Sequence, residues 1–408
     1  MSPKKIGDTA LVSRLRRITT GGDYVPEVDG VRFIAIAMVM FHHINERVLR
    51  RTYRTYPSVN HSDLNEAISA GALGVVVFFA LSGYVLYQLL VRRIERNGNV
   101  GLKAYFTRRL TRLEPPYVVV MVGIFAVLAV TGFKTELGVS FERGADSLLE
   151  SLLASLTYTY GLIFGALPKL NPPAWSLEVE IQFYLLAPLL TLGVLRLSKR
   201  PATRLVVLLA VMLTWPVAVG AHMEDYVHLK SSLLRFFSYF IAGFAAAEWG
   251  RVSARWADRG WLPYAYDGAA VVMFVLLPVW NNLEPLWFAD MLTVTTALLV
   301  LVAALQGGYV RRFAALPWVA TIGGMCYSIY LIHLPLLEFA SNATVRVGRG
   351  APYVAFYALQ VVLLTALVMA VAVPFFLMIE RPCMQPDWPA RLRARVFRPR
   401  QEAPTARL

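Results

Sequence analysis

Long apolar runs decide what this chain can become. They fall at about 31–49, 70–91, 115–132, 151–167, 176–195, 203–221, 232–250, 267–283, 289–306, 318–341 and 353–379. A hydrocarbon core about 30 Å thick is crossed by roughly 20 such residues in an α-helix, and a helix satisfies its own backbone polar groups where no water can. The runs therefore predict an all-α, polytopic transmembrane bundle. Composition agrees: 57% of the 408 residues are hydrophobic and 16% charged, too little polar surface for a soluble chain of this size.

The net charge of +14, from 40 Lys and Arg against 26 Asp and Glu, raises nucleic acid as a partner, but its distribution argues for the lipid bilayer instead. The segments Arg92–Arg112, Arg196–Arg204, Arg251–Arg259 and Arg311–Arg312 are basic, whereas Phe133–Glu150, His222–Lys230 and Glu284–Asp290 are neutral to acidic. That alternation follows the positive-inside rule. Both ends are basic, which places both in the cytoplasm and requires an even number of spans. Setting 151–167 aside as re-entrant or lying at the outer surface gives about ten. The exception is the first external loop, where Arg47, Arg50, Arg51 and Arg54 either serve an anionic acceptor or are simply tolerated.

The expected organisation is a basic cytoplasmic segment over 1–26, a transmembrane domain over 27–382, and a basic, disordered tail over 383–408 lying against an anionic leaflet. No cleavable signal and no internal repeat are visible. Two isolated cysteines, Cys326 and Cys383, make neither a disulfide framework nor a metal site, so no metal is expected.

The first apolar run reads DGVRFIAIAMVMFHHINERV, Asp29 to Val48. On a helix, Arg32 and His43 lie within about 20° of one face and about 16 Å apart along the axis, with His42 about a quarter turn away. Asp29 can orient Arg32 through an i,i+3 pair. This spacing suits a long ligand with an anionic head and a reactive far end, such as an acyl-coenzyme A. The alternatives are that Arg32 snorkels to headgroups and that the histidines bond between helices. A histidine deep in a span is costly enough to favour function.

Other runs carry further polar residues. In GALGVVVFFALSGYVL, Gly71 to Leu86, Gly74 and Gly83 read as packing positions, and Ser82 faces a neighbour or a ligand. Arg108, Arg109 and Arg112 precede a span, where guanidinium forks either bind phosphate or anchor the helix at the inner surface. PPAWSLEVEIQFYLLAPLL, Pro172 to Leu190, brings Glu178 and Glu180 to an external mouth with Gln182 and Tyr184; Glu180 either pairs with Arg50, Arg51 or Arg54, or orients His43. GGMCYSIYLIHLPLLEF, Gly323 to Phe339, adds Tyr327, Ser328, Tyr330 and His333, and the last span ends on Glu380-Arg381-Pro382. Trp175, Trp280 and Trp287 either stack on sugars or belong to an interfacial belt.

Together these stretches resemble the acyltransferase 3 family of integral membrane acyl-CoA-dependent acyltransferases. The resemblance rests on Asp29-Gly30 and Arg32 with His43; Gly74-Val75, Phe78-Phe79 and Leu81-Ser82-Gly83; Arg109, Arg112 and Pro115; Trp175-Ser176-Leu177, Val179-Glu180 and Gln182-Phe183-Tyr184; Tyr327 to His333-Pro335; and Glu380-Pro382, in the family's order. It implies transfer of an acyl group, often acetyl, from cytoplasmic acyl-CoA to a hydroxyl of a carbohydrate or other small acceptor, in a multi-pass protein of a bacterial inner membrane. The family's Arg-x10-His element maps to Arg32 and His43. Val76, Ile181 and Cys326 depart from the family pattern, and only a short tail follows the last span, so no SGNH-type hydrolase domain is expected.

The resulting expectation has His43 as general base or acyl carrier and Glu180 orienting it or touching the acceptor. Arg32, Arg109 and Arg112 hold the coenzyme A phosphates, Tyr327 and His333 line the donor channel, and Trp175 and Ser82 contact substrate. No cofactor is bound permanently; acetyl-CoA is the donor. The rival is a proton-coupled transporter, since intramembrane His, Arg and Glu also mark proton relays.

Overall fold

Helices account for every regular element in the computed structural model, which describes residues 10–19, 24–131, 145, 147–223, 226–256, 258–281, 283, 285–385 and 387–391. In chain order they are α1 (Ala10–Leu15), α2 (Pro26–Thr52), α3 (Asp63–Ser69), α4 (Gly74–Asn97), α5 (Leu102–Thr131), α6 (Leu148–Leu156), α7 (Tyr160–Phe164), α8 (Trp175–Leu197) and α9 (Pro201–Met223). Then come α10 (Leu233–Ser253), α11 (Leu262–Val275), α12 (Leu277–Asn281), α13 (Leu286–Gln306), α14 (Tyr309–Ala314), α15 (Pro317–Gly324), α16 (Cys326–Thr344), α17 (Tyr353–Phe375) and α18 (Arg381–Cys383).

Among the described residues, six helices are long and apolar enough to cross a membrane, or seven when α15 and α16, bent by 67°, are taken as one span. This is a multi-pass membrane protein. Outward-facing Leu189, Val206, Val275, Val362 and Met378 are each at least 65% exposed, an apolar exterior that suits lipid rather than water. α2 has 27 residues, but Asp29, Arg32, His42 and His43 lower its hydropathy. α10 is likewise diluted by Arg235, Glu248 and Arg251, and the run expected at 267–283 breaks at Leu276 into α11 and α12. The run at 151–167 folds as α6 and α7, of nine and five residues, broken around Tyr158, whose φ is 56°. Neither piece is long enough to cross a bilayer.

α2 organises the fold. Pro26 opens it, Glu27 and Asp29 occupy the positive N-terminal end, and Arg50 and Arg51 the negative C-terminal end, each favourable to the helix dipole. Small residues let backbones approach it. A Cβ at Gly74 on α4 would collide with the Ala35 carbonyl oxygen, and one at Gly323 on α15 with that of Asp29. α4 and α10 cross the same way, Gly83 against Phe240 and Gly243 against Ala80. Gly74 and Gly83 are therefore packing residues.

The arginines of the expected first external loop lie mostly in the last turns of α2 and have partners. Arg47 and Arg51 meet Glu338 of α16 at 3.0 and 2.7 Å, and Arg50 meets Glu46 at 3.0 Å. Arg54 donates to the Tyr53 hydroxyl at 2.8 Å. None of these pairs with Glu178 or Glu180. The loop expected over Phe133–Glu150 and the tail beyond 391 lie largely outside the described residues. Before that point the tail is docked: a helical turn at 388–391 is tied down by Trp388 Nε1, which donates to the Thr111 carbonyl at 2.9 Å.

Candidate active site

At the N-terminal end of α2, Asp29 is fully buried and accepts from Arg32 one turn later. Its other oxygen faces Arg17 at 3.1 Å. Arg17 belongs to the short segment after α1, which Val12 and Leu15 bury against the bundle. Its pKa is pushed down to about 10, first by burial and then by the Arg32 guanidinium, with Asp29 opposing and Arg112 adding to the repulsion. Tyr24 is pushed up to about 12 by burial and by Asp29. On α5, the buried Nε atoms of Arg109 and Arg112 have no hydrogen-bond partner.

Glu380 sits on a π-helical turn, Phe376–Glu380, just after Pro374. Its carboxylate accepts from the Ser328 backbone N–H at 3.0 Å and from the Ser328 hydroxyl at 2.5 Å. The end of the bundle thus gathers Arg17, Arg32 and Arg112, with Arg109 one turn away, against the carboxylates of Asp29 and Glu380. Positive charge is in excess where water is scarce, an expensive state unless an anion completes it.

The histidines lie toward the other end of α2. The His43 ring centroid is 4.9 Å from that of His42 and 5.3 Å from that of His333 on α16. His43 Nδ1 lies 3.1 Å from Glu46 Oε2. His333 is completely buried, with Nδ1 donating to the Tyr330 carbonyl at 2.7 Å and Nε2 without a partner. His42, His43 and Glu46 offer ligand atoms within 4.8 Å of one another, but Arg47 and Arg50 also bond the Glu46 carboxylate, at 3.3 and 3.0 Å, and oppose a cation there.

A polar stripe on α8 joins the two ends. Ser176, Glu180 and Tyr184 follow at i, i+4 and i+8, a rise of about 12 Å. Ser176 shares a hydrogen bond of 2.6 Å with the Tyr330 hydroxyl, beside His333. Glu180 accepts from the hydroxyls of Ser82 on α4 and Tyr184. The Arg109 guanidinium stacks 4.3 Å from the Tyr184 ring centroid.

The structure therefore brings Arg32 and Arg112 to one cluster, joins Arg109, Glu180 and Ser82 through Tyr184, and sets His43 against His333. Glu180 bonds neither an arginine nor His43: its partners are Ser82 and Tyr184. Tyr327 donates its hydroxyl to the Leu113 carbonyl at 2.9 Å, tying α16 to α5. Trp175 packs between Phe79 and Phe236, at 6.1 and 5.0 Å, in an aromatic cluster. Glu178 accepts from the Gly161 backbone at 2.8 Å and holds α7. Sequence reasoning passed over Arg17, which reads as one more basic terminal residue, and Glu46, whose signal was its place one turn after His43.

The fold and the site define a multi-pass helical membrane bundle with a buried cation cluster at one end of α2 and a histidine farther along the same helix. The chain belongs to the acyltransferase 3 family, whose acyltransferase domain matches residues 25–379. It is similar to O-acetyltransferase OatA of Staphylococcus aureus strain MRSA252, with 25% identity over 403 residues that cover 94% of this chain and 60% of that protein. OatA of Staphylococcus aureus strain NCTC 8325 / PS 47 matches with the same identity and coverage, 25% over 403 residues, 94% and 60%. The chain spans about 60% of the length of the curated relatives it matches. No solved structure matches.

Proposed function

We propose that this chain is an integral membrane O-acyltransferase that moves an acyl group, acetyl in the first instance, from cytoplasmic acyl-CoA to a hydroxyl of a carbohydrate or other small acceptor. One observation carries the reading: Arg17 and the α5 residues Arg109 and Arg112 join Arg32 at the N-terminal end of α2 in a cluster with an excess of positive charge, and His43 lies about 16 Å further along the same helix. Diphosphate and phosphate groups would neutralise Arg17, Arg32, Arg109 and Arg112, to which guanidinium forks are suited. The donor's arm would then lie along Tyr184, Glu180 and Ser82 and bring the thioester to His43. The name O-acetyltransferase carried by the OatA relatives supports acetyl as the group and a hydroxyl as its destination.

In this mechanism the acceptor O–H gives its proton to the free nitrogen of His43 as its oxygen attacks the thioester carbonyl carbon. The C–S bond breaks, the acyl group stays on the acceptor oxygen, and the leaving coenzyme A thiolate takes the proton back from the imidazolium. A neutral imidazole can perform both transfers near neutral pH. The matching topology has ten spans, counting α2, α10 and the broken α11–α12 beside the six apolar helices and the bent α15–α16 pair. Both termini then face the cytoplasm of a bacterial cell, with 27–382 as the catalytic domain.

The test is acetyl-CoA binding and thioester cleavage by the purified chain in lipid nanodiscs. Arg32→Ala is expected to lose binding, and His43→Ala to bind and not cleave. A folded wild type that binds neither acetyl-CoA nor longer acyl-CoAs would return the site to a proton-coupled transporter.

A further inference from the structure

We propose that Glu46 is the positioning residue for His43: it holds the imidazole as the Nδ1–H tautomer and so leaves Nε2 as the bare base. The inference rests on the acyltransferase reading of His43 above. His43 Nδ1 is 3.1 Å from Glu46 Oε2, and an ionised carboxylate only accepts, so the ring nitrogen must donate and the lone pair must lie on Nε2. The i,i+3 spacing places both side chains on one face of α2.

The carboxylate is itself fixed. Its second oxygen receives Arg47 Nη1 at 3.3 Å and Arg50 Nη2 at 3.0 Å, and the Arg47 Nε reaches Glu338 on α16 at 3.0 Å. Glu46 is thereby bound to its own helix and, through Arg47, to the helix that carries His333. Two cations on the far oxygen keep the group an acceptor. This gives Arg47 and Arg50, which run against the positive-inside rule, a purpose: they anchor the carboxylate that orients the base.

Of the two neighbouring histidines, His42 has its Nδ1 buried with no hydrogen-bond partner to fix a tautomer, and His333 is out of reach. His333 has its Nδ1–H on a backbone carbonyl and no exposed surface, whereas the His43 side chain keeps 20% exposure and so can meet a substrate. The His43 ring packs beside those of His42 and His333, and among the described residues its hydrogen bond is the one that Glu46 accepts.

The experiment compares wild type, Glu46→Gln, Glu46→Leu and His43→Ala in nanodiscs, following release of the coenzyme A thiol from acetyl-CoA with maltotriose as the hydroxyl acceptor. ¹⁵N-histidine NMR reads the tautomer, the His43 signal being the one missing from His43→Ala. Glu46→Leu is expected to lower kcat about 100-fold, in the range of a general base's contribution, with KM for acetyl-CoA within about twofold of wild type and His43 in mixed tautomers. Glu46→Gln, whose side-chain oxygen still accepts from Nδ1–H, should keep the tautomer and recover about tenfold of the lost rate.

A wild-type kcat in folded Glu46→Leu would overturn the proposal. So would an equal loss in both variants with the His43 tautomer unchanged, since Glu46 would then be only an ion-pair partner for Arg47 and Arg50. Should the Leu variant not fold, Glu46→Gln decides: loss of the Nδ1–H signature without loss of rate is fatal to the idea. If His43→Ala turns over at the wild-type rate, the base assignment fails first; if it is dead while Glu46→Leu is active, only the role of Glu46 fails.

Discussion

Arg17 and Arg32 divide one carboxylate between them: Asp29 offers Oδ2 to Arg17 at 3.1 Å and Oδ1 to Arg32. Two cations on one buried anion leave a positive remainder that Arg112 enlarges. Arg17→Ala is therefore expected to weaken acetyl-CoA binding about tenfold or more, since a hydrogen bond to a charged group is worth about 1.5–3 kcal/mol. Turnover at saturating donor should be unchanged, because Arg17 lies far from His43. Titration calorimetry in nanodiscs measures the first and thiol release the second; unchanged affinity would take the N-terminal segment out of the site.

Ser82 and Tyr184 both donate to the same oxygen of Glu180, so their contributions should not add. Ser82→Ala and Tyr184→Phe, singly and together, form a cycle whose coupling energy is expected to be about 0.5–3 kcal/mol in thermal stability, as for groups sharing one network. Purely additive losses would mean that Glu180 is held by something else. Glu180→Ala should cost more than either, since it leaves two hydroxyls without their acceptor.

Glycines on α4 and α8 carry opposite expectations. A methyl group at Gly83 has no space, because the Phe240 backbone occupies it, while Gly193 has nothing within 4 Å. Gly83→Ala should destabilise by about 1–3 kcal/mol or more, the usual cost of overpacking. Gly193→Ala should be neutral or stabilise by up to about 1 kcal/mol through helix propensity. Thermal unfolding in detergent distinguishes them, and a tolerated Gly83→Ala would mean that α4 and α10 cross less closely.

The sequence made the helices and the two ends of the site legible for a physical reason: both follow from periodicity along single helices. Arg32 and His43 are related by rise and turn alone, and Asp29 reaches Arg32 by i,i+3 spacing. Relations between helices were hidden. That Glu180 would bond Ser82 rather than an arginine, or that Trp175 would sink among Phe79 and Phe236, depends on which faces meet, and a polar residue on a helix carries no record of its partner. Arg17 was hidden in another way, since a basic terminus satisfies the positive-inside rule whether or not one of its residues folds back. The bend between α15 and α16 left no apolar gap to read; neither did the break of α6 from α7 at Tyr158, although the alternation of charge along the chain already sets 151–167 aside as non-spanning.

Arg47, Arg51 and Glu338 supply the last prediction. The side chains of Arg47 and Glu338 are only 3% and 6% exposed, and Arg51 adds its own bonds to the Glu338 carboxylate and backbone, at 2.7 and 2.9 Å. Removing one member of a buried pair strands the other, so Glu338→Ala should destabilise the fold by about 3–5 kcal/mol. Replacing both members by apolar residues of similar volume, Arg47→Met with Glu338→Leu, should recover most of that loss, because the penalty comes from the stranded charge more than from the missing attraction. Arg51 keeps its bonds to Asn342 and the Glu338 carbonyl in the double variant. Thermal melts of the three proteins decide the matter, and a double variant no more stable than Glu338→Ala would show that the ion pair itself, rather than relief of an unpaired charge, locks α2 to α16.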